Sequence, residues 1–257
     1  MIDLHCHILP RLDDGPATID ASVALARLAA VDGTRTIVAT PHVRADYRFE
    51  LHEIEDRVQA LNARLIHDGV GVEVEAGAEV ALGQLPTLNQ ASLDALCLGG
   101  DGRSMLVESP YQHATDTLEH SMFNLQLAGF YPVLAHPERS PSFMSDPDRL
   151  AALVERGVFC SVTAGSMACR FGRTVQRFTR LLFERGLVHD VASDAHDIRR
   201  RGPGLTAGFR ILDRELPGLL DQIEWFTTIA PAAILAGQAL PTRPQLQPPP
   251  RRWLRRG

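Results

Sequence analysis

The sequence predicts an α/β protein with a parallel sheet or barrel. Three observations lead there: short β-branched runs alternate with longer amphipathic stretches, the alternation continues to about residue 240 without an internal repeat or linker, and 257 residues with 45% hydrophobic content can bury one full core. Residues 1–240 therefore read as one domain.

In chain order the predicted strands are 2–5, 36–39, 70–75, 105–108, 132–135, 158–162 and 188–192. Some are apolar throughout, as around Ile37 and Val38; others alternate, as in Val72-Glu73-Val74-Glu75. Between them apolar residues recur at helical spacing in 18–31, which opens on Thr18 as an N-terminal cap, and in 51–66, 115–127, 147–156 and 174–185. The prolines at 241, 244 and 248–250 cannot propagate helix or sheet, and with Arg251, Arg252, Arg255 and Arg256 they predict a disordered Pro/Arg-rich tail over 241–257. Contact with an acidic partner or a membrane surface is the functional alternative to a plain solvated tail.

All 26 basic residues are Arg, so Schiff-base lysines, the P-loop lysine and the kinase lysine are excluded on chemistry alone. The tail holds five Arg and no acid, which leaves about −10 on residues 1–240 of a chain with net charge −5; an acidic body suits cations and disfavours a nucleic-acid groove. Cys6, Cys97, Cys160 and Cys169 show no CxxC pairing, so no disulfide framework or zinc knuckle is expected. No run approaches the roughly 20 apolar residues that span a bilayer, and the N-terminus has no basic segment followed by an apolar one; the expected location is the cytoplasm.

Six predicted strands end in a His or a carboxylate. The first ends in His5-Cys6-His7 and runs into Asp13-Asp14-Gly15-Pro16; then come Thr40-Pro41-His42, Gly77-Ala78-Glu79, Val107-Glu108, His136-Pro137-Glu138-Arg139 and Ser193-Asp194-Ala195-His196. Loops at the C-terminal ends of parallel barrel strands converge on one face, where scattered ligands become neighbours. Residues two apart in a strand point the same way, so His5 and His7, and likewise Asp194 and His196, can share a cation, while Cys6 points away. One H-x-H alone is weak, because a satisfied histidine is commoner than a ligand.

This set of motifs resembles the PHP superfamily (polymerase and histidinol phosphatase), and within it the bacterial manganese-dependent protein-tyrosine phosphatases of the CpsB/YwqE type from capsule and exopolysaccharide gene clusters. The likeness covers nearly all of residues 1–237. It implies a distorted (β/α)7 barrel holding three divalent ions, manganese before iron or zinc. Carried over by position, His5, His7, Glu108 and Asp194 would hold one ion, Asp14, His42 and His196 a second, and Glu79, Glu108 and His136 a third, with Glu108 as the bridge. Arg139 and Arg201 match the phosphate-binding arginines. The implied substrate is a phosphotyrosine protein, the tail of an exopolysaccharide tyrosine kinase; the resemblance implies no oligomeric state.

The charge count agrees with that reading: Asp14, Glu79, Glu108 and Asp194 give −4 against +6 from three divalent ions, a pocket that attracts a phosphomonoester dianion. Direct in-line attack by a metal-activated hydroxide on phosphorus is the expected chemistry, with the guanidinium forks clamping phosphoryl oxygens. Tyr47, Phe49, Phe171 and the pair Arg44 and Arg48 could line a phosphotyrosine entrance, against the plainer reading of local packing. Cys97 to Arg103 fits the C-x5-R loop of cysteine-dependent phosphatases, but Met105-Leu106-Val107 reads as a strand where that loop needs a helix, so a glycine-rich turn with a buried Cys97 is expected. Alternatives to the tyrosine phosphatase are another PHP phosphoesterase, such as a histidinol-phosphate phosphatase or a nuclease, and a catalytically silent binding module.

Overall fold

The computed structural model describes residues 1–100, 102–109 and 117–244. Among the described residues nine strands pair, all in parallel: β1 (Ile2–Cys6), β2 (Thr36–Ala39) and β4 (Glu73–Ala76) make one sheet in the order β1-β2-β4. The second runs β3 (His42–Val43), β5 (Glu79–Ala81), β6 (Ser104–Glu108), β7 (Tyr131–Ala135), β8 (Phe159–Thr163) and β9 (Asp190–Ala192). The sheets are linked through the chain, because β2 leads into β3 across Thr40 and Pro41, and β4 into β5 across Gly77 and Ala78. Pro41 has no N–H to give to a ladder, but its carbonyl accepts the Glu79 amide at 3.1 Å. At the other side β1 meets the end of β9: Asp194 N–H donates to His5 O at 2.7 Å and His7 N–H to Ala195 O at 2.9 Å.

The larger helices are α1 (Ile19–Asp32), α2 (His52–His67), α4 (Thr117–Leu127), α6 (Pro147–Glu155) and α8 (Arg173–Glu184). Thr18 caps α1, its hydroxyl accepting the Ala21 amide at 3.2 Å, and Ile54, Val58, Leu61 and Leu65 form the buried stripe of α2. The main core lies between the strands and these helices, and a second cluster of Leu4, Val38, Leu106, Val133 and Ala135 is closed by Ile234.

Some expectations need correction. The strand expected at 70–75 starts at Glu73, since Val72 N–H turns back to Val70 O at 2.9 Å. β3 and β5 were not predicted: two or three residues leave no readable period. Neither were the short helices α3 (Gln90–Ala95), α5 (Pro141–Ser145) and α7 (Ala164–Met167), nor α9 (Thr206–Leu212), the π-turn Trp225–Ile229 and α10 (Ala230–Leu235). Within the expected helix 115–127, residues 115 and 116 lie outside the described residues. So do residues 245–257 of the expected tail, but Arg243 packs on the body, 4.9 Å over the Phe226 ring and donating to Phe183 O at 3.2 Å.

Candidate metal centre

All nine sequence-predicted ligands meet at the C-terminal ends of the strands, and eight are buried; Asp14 is half exposed. The Nε2 atoms of His5 and His7 face each other at 3.2 Å. Asp194 Oδ1 lies 3.5 and 3.4 Å from them, and Glu79 Oε2 lies 3.3 and 3.4 Å away. A point just off the plane of a triangle with such edges is about 2 Å from each corner, the bond length of a first-row divalent ion to N or O. Ring nitrogens of His5 and His7 in contact, and a buried Glu79 Oε2 with ring nitrogens of His5, His7 and His42 within 3.4 Å but no aligned hydrogen bond, are what a cation would satisfy. The residues fit the ions that the resemblance implies.

Four groups of ligand atoms lie within 4.8 Å of one another: His7, Asp14, His42 and His196; His5, Glu79 and His136; His5, His7 and Asp194; and His42, Glu79 and Glu108. The grouping differs from the implied one in its centre. Glu79 touches His42 Nδ1 at 2.9 Å and His136 Nε2 at 2.8 Å besides His5 and His7, whereas Glu108 is grouped only with His42 and Glu79. Sheet register explains this, for His42 on β3 is paired directly with Glu79 on β5, while Glu108 sits opposite Ala81.

Burial works against ionisation of Glu79, but His5, His136 and His42 outweigh it and hold its carboxyl well below the usual range. Asp194 is likewise held low against burial, by His5, Arg139 and His7. Glu108 is pushed up by burial and by Glu79. Burial and then Arg139 bring His136 down to about 4, which leaves a neutral imidazole.

Asp194 and His196 reach the site by a route other than strand alternation. β9 ends at Ala192, and Asp194 has φ 50; His136, just past β7, has φ 36. Left-handed backbone at non-glycine residues costs about 1–3 kcal/mol each and concentrates at functional sites. Gly15 allows another close approach, since a Cβ there would lie 2.3 Å from His7 O.

Arg139 Nη2 donates to Asp194 Oδ2, and Arg201 Nη2 reaches the same oxygen at 2.6 Å. Both guanidinium groups thus border the ligand cluster. Tyr47 stacks parallel on His42, with ring centroids 5.6 Å apart, and Phe171 lies 4.6 Å beneath Arg139; Phe49 packs into the core, and Arg48 is exposed.

Two further residues belong to the site's surroundings: Asp13, legible in the sequence only within a motif, and Arg44, expected only as an entrance residue. Asp13 Oδ2 contacts His7 Nδ1 at 2.6 Å and accepts the His42 amide at 3.0 Å, which turns His7 Nε2 toward the cluster. Its signal was the doubled acid of Asp13-Asp14. Arg44 Nη1 lies 3.6 Å from Glu108, with Asp46 as its second partner. Asp197 Oδ1 accepts the amides of Arg199 and Arg200, both at 2.6 Å, which lowers its carboxyl below the usual range and shapes the turn after His196.

The C-x5-R segment does not build a thiolate site. Cys97 is buried, donates to Leu93 O at 3.4 Å and has its thiol pushed up to about 12 by burial; β6 follows Arg103, and Asp101 lies outside the described residues. Cys6, between the two histidines, is buried with its Sγ toward Ala195 O.

Comparisons with known proteins agree with this geometry. The tyrosine-protein phosphatase YwqE of Bacillus subtilis is 37% identical over 216 residues, 84% of this chain and 85% of that protein. The tyrosine-protein phosphatase CpsB of Streptococcus pneumoniae is 30% identical over 224 residues, 84% of this chain and 90% of its own. A crystal structure from a study of YwqE and CpsB, described as unique metal-dependent tyrosine phosphatases, superposes with TM-score 0.84 at 34% identity, covering 96% of this chain and 100% of that one. A β-aspartyl dipeptidase of Fervidobacterium islandicum, at TM-score 0.60 and 13% identity over 95% of this chain and 74% of its own, shares the fold alone. The family model for capsular polysaccharide synthesis, CpsB/CapC, matches residues 1–224, and the chain belongs to that family.

Proposed function

We propose that this chain is a metal-dependent protein-tyrosine phosphatase that acts in capsule or exopolysaccharide regulation. The observation that carries the reading is the convergence of nine His, Asp and Glu side chains into overlapping groups, bordered by Arg139 and Arg201. Similarity to curated tyrosine phosphatases over 84% of the chain supports the substrate class.

We infer three ions, manganese first: His5, His7, Glu79 and Asp194 would hold one, Asp14, His42 and His196 a second, and Glu79, Glu108 and His136 a third. Glu79 is the bridge in this assignment because it alone contacts His5, His7, His42 and His136. When bound, such ions activate water and withdraw charge from phosphoryl oxygens. Asp13 orients His7, and Arg139 and Arg201 turn N–H groups from Asp194 toward the equatorial oxygens of the substrate. A phenolate of pKa about 10 leaves without a strong acid, which agrees with Asp197 being engaged by amides.

The strand order, with β2 leading into β3, β4 into β5, and hydrogen bonds between the end of β1 and the end of β9, supports a distorted seven-stranded (β/α)7 barrel. A kinase's tyrosine-rich tail is the substrate this reading favours, and the cytoplasm the place of action. Four free cysteines are in keeping with a reducing compartment. No helix among the described residues is long and apolar enough to cross a membrane.

The test is comparative hydrolysis of a phosphotyrosine peptide, histidinol phosphate and a short DNA strand, with manganese, iron or zinc and with chelator. The phosphotyrosine peptide should be hydrolysed fastest, with loss on chelation. Preference for histidinol phosphate or DNA would move the chain to another branch, and no hydrolysis would leave a binding module.

A further inference from the structure

The two segments that follow the neighbouring strands β8 and β9 carry arginines beyond Arg201. Residues 164–173 follow β8, residues 193–205 follow β9, and both segments border the site: Phe171 lies 4.6 Å under Arg139, and Arg201 holds Asp194 at 2.6 Å. They also carry Arg170, Arg173, Arg199 and Arg200, all exposed and none ion-paired among the described residues. The only carboxylates in the two segments are Asp194, already shared by Arg139 and Arg201, and Asp197, whose Oδ1 takes two backbone amides. Arg44, which also borders the site, differs from them in being engaged by Asp46 and approaching Glu108. This cationic arc runs against the trend of a body that carries about −10 over residues 1–240.

We propose that the arc formed by Arg170, Arg173, Arg199 and Arg200 selects phosphotyrosine segments that carry further anions, either carboxylates or a second phosphate, within a few residues of the scissile phosphotyrosine. The inference rests on the phosphatase reading and names the flanking chemistry of its substrate. Exposed arginines with no partner of their own lose little on meeting an anion, and guanidinium forks suit carboxylate and phosphate alike. Each exposed pair contributes little, so the arc acts as a sum and through encounter rate, and both effects weaken with salt.

Three phosphotyrosine peptides separate the possibilities, with flanks of Asp and Glu, of a second phosphotyrosine, or of Ser and Gln. At low ionic strength the first two should show KM lower by about five- to tenfold than the neutral peptide with similar kcat, and the gap should close at about 0.3 M salt. A variant with R170S, R173S, R199S and R200S should erase the difference while hydrolysing para-nitrophenyl phosphate as the wild type does. Peptides carrying a non-hydrolysable phosphonate in place of the phosphotyrosine, followed by fluorescence anisotropy, should rank in the same order, a readout that survives even if no peptide is turned over. Equal binding of all three by the wild type, or a preference kept by the variant, overturns the proposal. So does arginine-dependent sedimentation with anionic lipid vesicles in place of any peptide preference.

Discussion

Asp13 is set apart from the nine candidate ligands by position alone: it contacts His7 Nδ1 at 2.6 Å and leaves Nε2 for the cluster. Asp13→Asn keeps the shape but loses the charge that fixes the imidazole, and metal titration should show affinity lowered by about 10–100-fold. Cys97→Ser should change kcat/KM by less than about twofold, because a buried thiol raised to about 12 is no nucleophile near neutral pH; complete loss of activity would revive the cysteine mechanism. His189 offers a pH test away from the site. Its Nδ1 accepts the Cys160 amide at 3.0 Å, and burial, then Arg243, brings it down to about 4. The folded state therefore refuses a proton that the unfolded chain takes up near pH 6.5, so the contribution of His189 is complete above about pH 6.5 and is lost as pH falls toward about 4. Thermal midpoints across that window should fall more steeply for the wild type than for His189→Gln; parallel curves would count against the assignment. At this scale the sequence was most readable, in that the nine side chains it singled out do converge. Asp13 reads there only as part of a motif and Arg44 only as an entrance residue, because the contacts they make depend on which atom faces which neighbour.

Among the elements, the larger helices and most strands were legible to within a few residues. The reason for α1 is local: Thr18 accepts the Ala21 amide, and Thr18→Ala should cost about 1 kcal/mol by chemical denaturation. The short strands β3 and β5 were not legible, although their register pairs His42 with Glu79 and so makes Glu79 rather than Glu108 the central carboxylate. The pieces after β9 also escaped, since α9 and α10 are seven and six residues long and owe their helicity to packing. Gly208 of α9 shows how tight that packing is: a Cβ there would lie 2.7 Å from Ala164 O in α7. Gly208→Ala should therefore destabilise by about 1–3 kcal/mol, the reverse of the gain expected from this substitution in an open helix; unchanged stability would contradict the packing.

For the whole molecule, metal binding is expected to couple to folding. Asp14, Glu79, Glu108 and Asp194 gather around shared points, so ions that bind the folded chain and not the unfolded one should raise its stability by about 2.7 kcal/mol at a concentration 100 times Kd. Thermal denaturation of chelated protein titrated with manganese should give a rising midpoint, and a flat one would sink the metal assignment. The sequence by itself determined which residues are candidate ligands, the absence of lysine chemistry, the alternation of strand and helix and the resemblance that implied the substrate class, because these depend on residue type and local spacing. Tertiary structure decided which candidate ligands come together, that left-handed turns at His136 and Asp194 deliver their side chains, that Arg139 and Arg201 meet on one carboxylate, and that Arg243 belongs to the body. Those outcomes depend on register and on distances between residues more than a hundred positions apart, such as His5 and Asp194, which no local spacing encodes.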